Sequence, residues 1–98
     1  MIYHVTDRES WEKAMLNNCY INPSLELEGF IHMSTRSQVA GVLERYFKNR
    51  TNLILLHVDE QLLNAEIRYE LSPSLQEEFP HVYGAINLDA VVNVEALP

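Results

Sequence analysis

The segment Gly29-Phe30-Ile31-His32-Met33-Ser34 places a histidine among apolar residues and is followed directly by a second hydroxyl residue, Thr35. Its apolar residues favour a buried strand. Ser and Thr favour a helix N-cap, because the side-chain oxygen accepts a backbone N–H that has no helical partner. The segment therefore predicts a short buried strand that runs into a helix. Such a junction suits a bound phosphate or other anion, and His32 lies beside it.

Two helices are predicted from the sequence on either side of this segment. Thr6-Asp7-Arg8-Glu9 fits a capping box with Thr6 as N-cap, and the helical spacing that follows predicts a first helix over residues 7–17. A second capping box at Thr35-Arg36-Ser37-Gln38 precedes an apolar stripe that predicts a helix over residues 36–49. Residues 20–29 contain Pro23 and lack a period, so we expect a surface loop there.

The strand pattern completes an α+β domain. The nearly continuous apolar run Leu53–Val58 predicts a central strand buried on both faces. In residues 67–71 the alternation predicts that Ile67, Tyr69 and Leu71 face inward. Further strands are expected at residues 2–5, 30–33 and 90–97, with a run rich in ring-bearing residues at 79–84. The expected fold is two helices packed on a sheet of about five or six short strands.

Composition limits the class of protein. Ninety-eight residues, 47% of them hydrophobic, are enough for one domain spanning residues 1–98. The single cysteine, Cys19, cannot form an internal disulfide, which favours a reducing cytoplasm. No stretch approaches the ~20 apolar residues that a membrane span requires. Fourteen acidic and seven basic residues give a net charge of −7, which argues against a long nucleic acid as partner.

Three of the four histidines are candidate site residues. His4, His32 and His81 each lie near a strand end beside aromatic or hydroxyl residues. Together with Arg68 and Glu70 on one strand face, they predict a cleft with a proton shuttle, an anion clamp and a charge stabiliser. For each histidine alone a structural role explains the sequence equally well.

Two other uses of histidine are weaker. His57 lies in the apolar strand beside Asp59, and a hydrogen bond to that neighbour would satisfy it. The chain has no His-x-His or His-x-x-x-His spacing, so no metal ligands are assigned. A histidine-based metal hydrolase stays as the third hypothesis.

Several motifs resemble those of the small bacterial proteins grouped as domain-of-unknown-function family 952. They run in order through nearly the whole chain and include Tyr3-His4-Val5-Thr6, Gly29-Phe30-Ile31-His32-Met33-Ser34, Arg68-Tyr69-Glu70 and Phe79-Pro80-His81-Val82-Tyr83-Gly84. The family name carries no activity, so this resemblance bears on fold more than on function.

A more distant resemblance carries mechanism. Tyr3-His4-Val5-Thr6 is similar to the Tyr-His-Gly-Thr strand of RNA 2′-phosphotransferases and diphtheria-toxin-like ADP-ribosyltransferases. This resemblance implies a curved, split, mainly antiparallel sheet that holds NAD in a central cleft. It implies that His4 contacts an NAD ribose, that His32 and Ser34 line the same cleft, and that Glu70 corresponds to the catalytic glutamate. Combined with the predicted cleft, this gives His32 and Glu70 as catalytic residues, and as ligand-binding residues His4, Thr6, Ser34, Arg68, His81 and Tyr83. Val5 stands where the transferases have Gly, and arginines are few, which argues against RNA 2′-phosphate transfer.

Our first hypothesis is thus a cytoplasmic ADP-ribosyltransferase-like domain that binds NAD, ADP-ribose or a related nucleotide and transfers or cleaves at the nicotinamide–ribose bond. The alternative is a non-catalytic module that binds a small metabolite or a protein on the same fold. We expect a small-molecule partner, no membrane, and a monomer or weak homodimer.

Overall fold

The computed structural model describes residues Met1–Pro98 and has an α+β architecture. In chain order the elements are β1 (Ile2–Asp7), α1 (Arg8–Asn17), β2 (Cys19–Tyr20), α2 (Pro23–Glu28), β3 (Ile31–His32), α3 (Val39–Tyr46), β4 (Leu53–Val58), β5 (Glu66–Ser72), β6 (Glu77–Tyr83), β7 (Ile86–Asn87) and β8 (Val91–Ala96). Single 3-10 turns precede α3, follow β4 and precede β8. None of the helices has the length and hydrophobicity that crossing a membrane would require.

The strands form three antiparallel sheets, as a split sheet predicts. The first has the order β1-β4-β8, the second is the β2-β7 pair, and the third has the order β3-β6-β5. β4 is the central strand of its sheet, and five of its six residues are buried, which confirms the prediction from its apolar sequence.

Because successive strand residues point to opposite faces, β4 contributes to two separate hydrophobic cores. Ile54, Leu56 and Val58 join a larger core, against which Trp11 of α1 packs. Leu53 and Leu55 join a smaller core beneath α3. The two helices therefore cover opposite faces of one sheet.

The start of α1 differs from the sequence prediction by one residue. Asp7, and not Thr6, is the N-cap, because the Asp7 carboxylate accepts the Ser10 N–H at 2.7 Å. Thr6 is buried within β1, opposite Ile54 of β4. The helix ends at Asn17, as predicted, and Asn18 caps it in the left-handed conformation.

The expected loop at residues 20–29 is wrong, since these residues include the end of β2 and an additional helix, α2. Asn22 caps α2 by accepting the Ser24 N–H at 2.9 Å, and Pro23 occupies its first turn. Gly29 ends it with a φ of 89°, a conformation that glycine adopts without strain. The predicted strand 30–33 is correspondingly shorter.

Two other expectations need correction. The second helix begins with a 3-10 turn at Arg36–Gln38 and ends at Tyr46, not at residue 49. Tyr69 and Leu71 are 46% and 57% exposed, although their neighbour Ile67 packs against the larger core. The outer part of the β5–β6 hairpin extends past the core, so the alternating apolar residues of β5 have no core to pack against there.

Candidate functional site

The main concavity of the molecule is a cleft of about 570 Å³ that joins parts of the chain distant in sequence. It lies between α3, the tip of the β5–β6 hairpin and the β1–β3 region. Four of the predicted site residues line it: His4, His32, Ser34 and His81. Four other rings line it as well: Phe30, Tyr46, Phe47 and Phe79.

Backbone pairing brings these residues together. Tyr3 and Ser34 exchange two backbone hydrogen bonds of 2.8 and 2.7 Å, which joins β1 to the chain just after β3. His32 lies directly opposite His81 in the β3–β6 register. His4, His32 and His81 therefore converge through strand pairing, as the sequence indicated.

His4 is buried and uses both ring nitrogens. Nδ1 lies 2.6 Å from the His32 carbonyl oxygen, and Nε2 lies 2.8 Å from the Tyr20 hydroxyl. Burial lowers the pKa of His4 to about 4, because desolvation penalises the imidazolium form. The ring is thus neutral near pH 7. A carbonyl oxygen only accepts, so the single ring proton is on Nδ1.

This tautomer makes Nε2 of His4 an acceptor for the Tyr20 hydroxyl, 2.8 Å away. The Tyr20 oxygen also lies 3.0 Å from the Thr6 hydroxyl oxygen and accepts a hydrogen bond from Asn22 Nδ2 at 3.2 Å. Burial also raises the pKa of Tyr20. Thr6 therefore supports His4 and does not line the cleft.

Glu70 and Tyr83 form a cluster around His81. His81 Nδ1 lies 2.8 Å from Glu70 Oε1, and the Tyr83 hydroxyl donates to the same oxygen. These two hydrogen bonds, that of Tyr83 first, lower the pKa of Glu70. The hydrogen bond from Tyr83 to Glu70 also raises the pKa of Tyr83, since it stabilises the protonated phenol. Glu70 is therefore held in its carboxylate form, and it hydrogen-bonds the His81 ring.

Phe30 packs against both cleft histidines of the third sheet. Its ring stacks on His81 with centroids 4.0 Å apart and meets His32 edge-on at 4.9 Å. The Ser24 hydroxyl donates to the Phe30 carbonyl oxygen at 2.8 Å, so α2 positions this residue. His32 is half-exposed and pairs with Glu28 of α2 at 2.8 Å.

Besides Thr6, the predicted site residues Arg68, Glu70 and Tyr83 do not line the cleft, and Glu70 and Tyr83 lie beside His81. Arg68 pairs with Glu66 at 2.8 Å and stacks on Tyr83 with its guanidinium 4.6 Å from the ring centroid. His57 hydrogen-bonds Glu95 on the neighbouring strand at 2.9 Å, not Asp59. No group of three His, Cys, Asp or Glu side chains is arranged to hold a metal ion.

Sequence reasoning missed several residues that shape the site. The sequence predicts Phe30 only as a strand residue, and Tyr20, Asn22 and Glu28 fall within the predicted loop. Glu28 and His32 meet where α2 leads into β3. Glu70 and His81 meet across the neighbouring strands β5 and β6. The four-residue spacing of Glu28 and His32 was visible in the sequence, whereas the contact between Glu70 and His81 depends on strand register.

Comparison with known proteins assigns the sequence of this chain to a family. A model described as "Protein of unknown function (DUF952)" matches residues 5–94. The chain belongs to the DUF952 family. No curated protein matches it significantly.

Solved structures similar to this DUF952 protein include those of protein CC0527 from Caulobacter crescentus. The crystal structure is 26% identical with a TM-score of 0.90, and covers 99% of this chain and 85% of CC0527. The solution NMR structure is 27% identical with a TM-score of 0.83, and covers 98% and 83%. The similarity supports the whole arrangement of strands and helices that forms the cleft.

Proposed function

We propose that this DUF952 protein binds the nicotinamide–ribose part of NAD or a related nucleotide in the cleft. The observation that carries the proposal is the convergence of three histidines and four other rings on one concavity. Its volume of about 570 Å³ falls within the range of about 300–1,000 Å³ that is usual for small-molecule sites. Nine of its sixteen lining residues are hydrophobic, which suits a flat heteroaromatic ring.

The polar groups of the cleft suit a ribose. Ser34 and His81 lie on the cleft wall and can exchange hydrogen bonds with hydroxyl groups. The His4 side chain has both nitrogens engaged within the protein, so it contributes shape and not a free donor or acceptor. These features support a ligand that carries hydroxyls beside an aromatic ring.

The cationic groups lie next to the cleft and not in its lining. No lysine or arginine lines it, but Arg45 and Arg50 stack on two lining rings, Tyr46 and Phe47, at 5.6 and 5.1 Å. Arg50 also lies 3.8 Å from the Asp7 carboxylate, whereas Arg45 has no carboxylate within 4.0 Å. Arg45 is thus the better partner for a diphosphate that extends from the cleft past α3.

The reaction that fits this ligand is cleavage of the nicotinamide–ribose bond. The carbon–nitrogen bond breaks and its electron pair leaves with nicotinamide, while a water oxygen bonds to the ribose carbon and loses a proton. Glu70 lies behind His81 and not in the cleft lining, so the negative charge of its carboxylate would act on the developing oxocarbenium centre through the His81 ring.

Isothermal titration with NAD and ADP-ribose tests the proposal. We expect a Kd of about 1 mM or tighter, equivalent to about 4 kcal/mol. Phe30→Ala removes a stacking ring and should weaken binding by about fivefold or more, given stacking energies of about 1–3 kcal/mol. Tyr69→Ala removes an exposed ring outside the cleft and serves as the matched control. Absence of heat with both ligands at millimolar concentration would overturn the proposal.

The phosphate assignment has its own test. Arg45→Gln should weaken ADP-ribose binding by about tenfold, the effect of losing about 1.4 kcal/mol, and leave nicotinamide riboside unaffected. Lys48→Gln removes a nearby cation that pairs with Glu44 and should change neither affinity.

A second candidate is a non-catalytic module that binds an uncharged metabolite. The lack of a lysine or arginine in the cleft lining favours it. It predicts that nicotinamide riboside or adenosine binds at least as tightly as ADP-ribose, and that NAD is not cleaved during prolonged incubation.

A further inference from the structure

We propose that His81 and Glu70 form a proton-transfer pair, in which Glu70 fixes the imidazole so that His81 Nε2 accepts a proton from a water or hydroxyl group in the cleft. This inference rests on the proposed function for its substrate but not for its geometry. It assigns His81 as the acid–base residue and Glu70 as the positioning residue.

The hydrogen-bond pattern determines the tautomer of His81. An ionised carboxylate only accepts, so His81 Nδ1, 2.8 Å from Glu70 Oε1, carries the ring proton. Nε2 has no hydrogen-bond partner within the protein, and the ring lines the cleft. The carboxylate is bonded to Nδ1–H, so Nε2 is free to take a proton. The same carboxylate then stabilises the imidazolium that results.

Packing holds the His81 ring more tightly than the His32 ring, the other cleft imidazole that could serve as an acid–base group. The His81 side chain is 14% exposed and stacked on Phe30 with an interplanar angle of 17°. His32 makes a similar pair with Glu28, but both of those side chains are half-exposed, and solvent weakens and loosens the contact. His4 has no free ring nitrogen.

The charged neighbours of His81 are consistent with this role. On β5 the residue directly opposite His81 is Arg68, which is directed to Glu66 by its own ion pair, and Glu70, two residues along the strand, contacts His81 Nδ1. On its own strand, Tyr83 shares the Glu70 oxygen, and on β3 the His32 ring lies edge-on with centroids 5.3 Å apart. One carboxylate therefore contacts His81 directly, and no lysine or arginine pairs with it.

The proton balance in the cleavage of NAD is simple. A water oxygen forms a bond to the ribose carbon as nicotinamide departs with the electron pair of the broken bond, and the water proton moves to His81 Nε2. The imidazolium then releases this proton to solvent, which restores the starting tautomer.

Two measurements on the ligand-free protein test the pair directly. Nitrogen-15 NMR of the imidazoles should report the Nδ1–H tautomer at His81. Carbethoxylation by diethyl pyrocarbonate, followed by mass spectrometry, should modify His81 at least about tenfold faster than His4, whose ring nitrogens are both bonded. A neutral His81 in the Nε2–H tautomer, or a rate no faster than that of His4, would overturn the inference.

Turnover then separates this inference from the proposed function. His81→Asn and Glu70→Gln should lower kcat for NAD hydrolysis by about 10²-fold or more, the usual size of general acid–base effects, with little change in KM. Glu95→Gln, the matched change at the His57–Glu95 pair outside the cleft, should leave kcat within about twofold of wild type. If NAD is cleaved and the Glu70 and His81 variants keep full kcat, the proton-transfer pair is wrong and the function stands. If NAD is neither bound nor cleaved while both ligand-free results are as expected, the function is wrong and the pair stands.

Discussion

At the scale of single residues, His4 shows how position decides the role of an imidazole. The sequence marks it as a site candidate because it lies in a motif with Tyr3 and Thr6, and it does line the cleft. Its two ring nitrogens, however, are used by the His32 carbonyl and the Tyr20 hydroxyl. The partner Tyr20 could not be predicted, since no local spacing links residues 4 and 20.

The buried state of His4 makes stability depend on pH. Its pKa is about 4 in the folded protein and about 6.5 when unfolded, so the unfolded chain binds more protons between these values. The free energy of unfolding should therefore be unaffected above pH 6.5 and fall as the pH drops towards 4. The expected loss is about 1 kcal/mol between pH 7 and 5.5, and on the order of 3 kcal/mol in total.

Urea denaturation at pH 7 and pH 5.5 measures this effect. His4→Gln removes the titrating group and should flatten the dependence over this interval, while lowering stability at both pH values. The lowered pKa of the carboxyl groups of Asp7, Glu60 and Glu70 matters only at more acidic pH. An unchanged slope in the variant would contradict the assignment.

At the scale of elements, segments with a clear apolar run or helical spacing were predictable, and segments without either were not. β4 and α1 follow from apolar runs and spacing, whereas the six residues of α2 are too few to show a helical period. Its boundary signals, Asn22-Pro23 and Gly29, were present, but Pro23 also fits a loop. The two-residue strands β2 and β7 have no local signal because tertiary pairing alone defines them.

The loop of the β5–β6 hairpin contains a conformational strain that substitution can remove. Gln76 has a φ of 55°, a left-handed conformation that costs roughly 1 kcal/mol for most residues other than glycine. Its side chain makes only one hydrogen bond, an exposed one that Nε2 donates to the Pro73 carbonyl oxygen. We expect Gln76→Gly to raise the free energy of unfolding by up to about 1 kcal/mol. Chemical denaturation measures it, and Gln76→Ala, which keeps the strain, should not be stabilising.

Gln38 fastens the start of α3 to β6. Its Nε2 donates to Glu77 Oε1 and to the Glu78 carbonyl oxygen, and its Oε1 accepts the Thr35 N–H. Gln38→Ala leaves these groups without partners, so we expect a loss of about 1–3 kcal/mol in the free energy of unfolding. Gln61→Ala, at an exposed turn, should stay within about 0.5 kcal/mol of wild type. Equal effects of the two substitutions would show that the side-chain contacts of Gln38 contribute little.

At the scale of the whole molecule, the candidate site depends on the meeting of separate parts of the fold. The cleft takes residues from β1, the β3 region, α3 and the β5–β6 hairpin. Sequence reasoning identified three histidines that meet there, because each belongs to a recognisable motif. It could not establish that Arg68 is directed to Glu66, since strand register and twist decide where an exposed side chain points.

The two cores on either side of β4 should respond separately to substitution. Leu55 and Leu56 are adjacent and almost fully buried, but Leu55 packs in the core beneath α3 and Leu56 in the core that includes Ala14 of α1. Leu→Ala at either position should cost about 2–5 kcal/mol. Hydrogen exchange should then distinguish them: Leu55→Ala accelerates exchange of α3 amides relative to those of α1, and Leu56→Ala does the reverse.

Since Val42 and Phe47 pack on the Leu55 core and line the cleft, Leu55→Ala should also weaken ADP-ribose binding more than Leu56→Ala does. The same pattern of exchange in both variants would mean that the two cores unfold as one unit and that α3 is not an independent wall of the cleft.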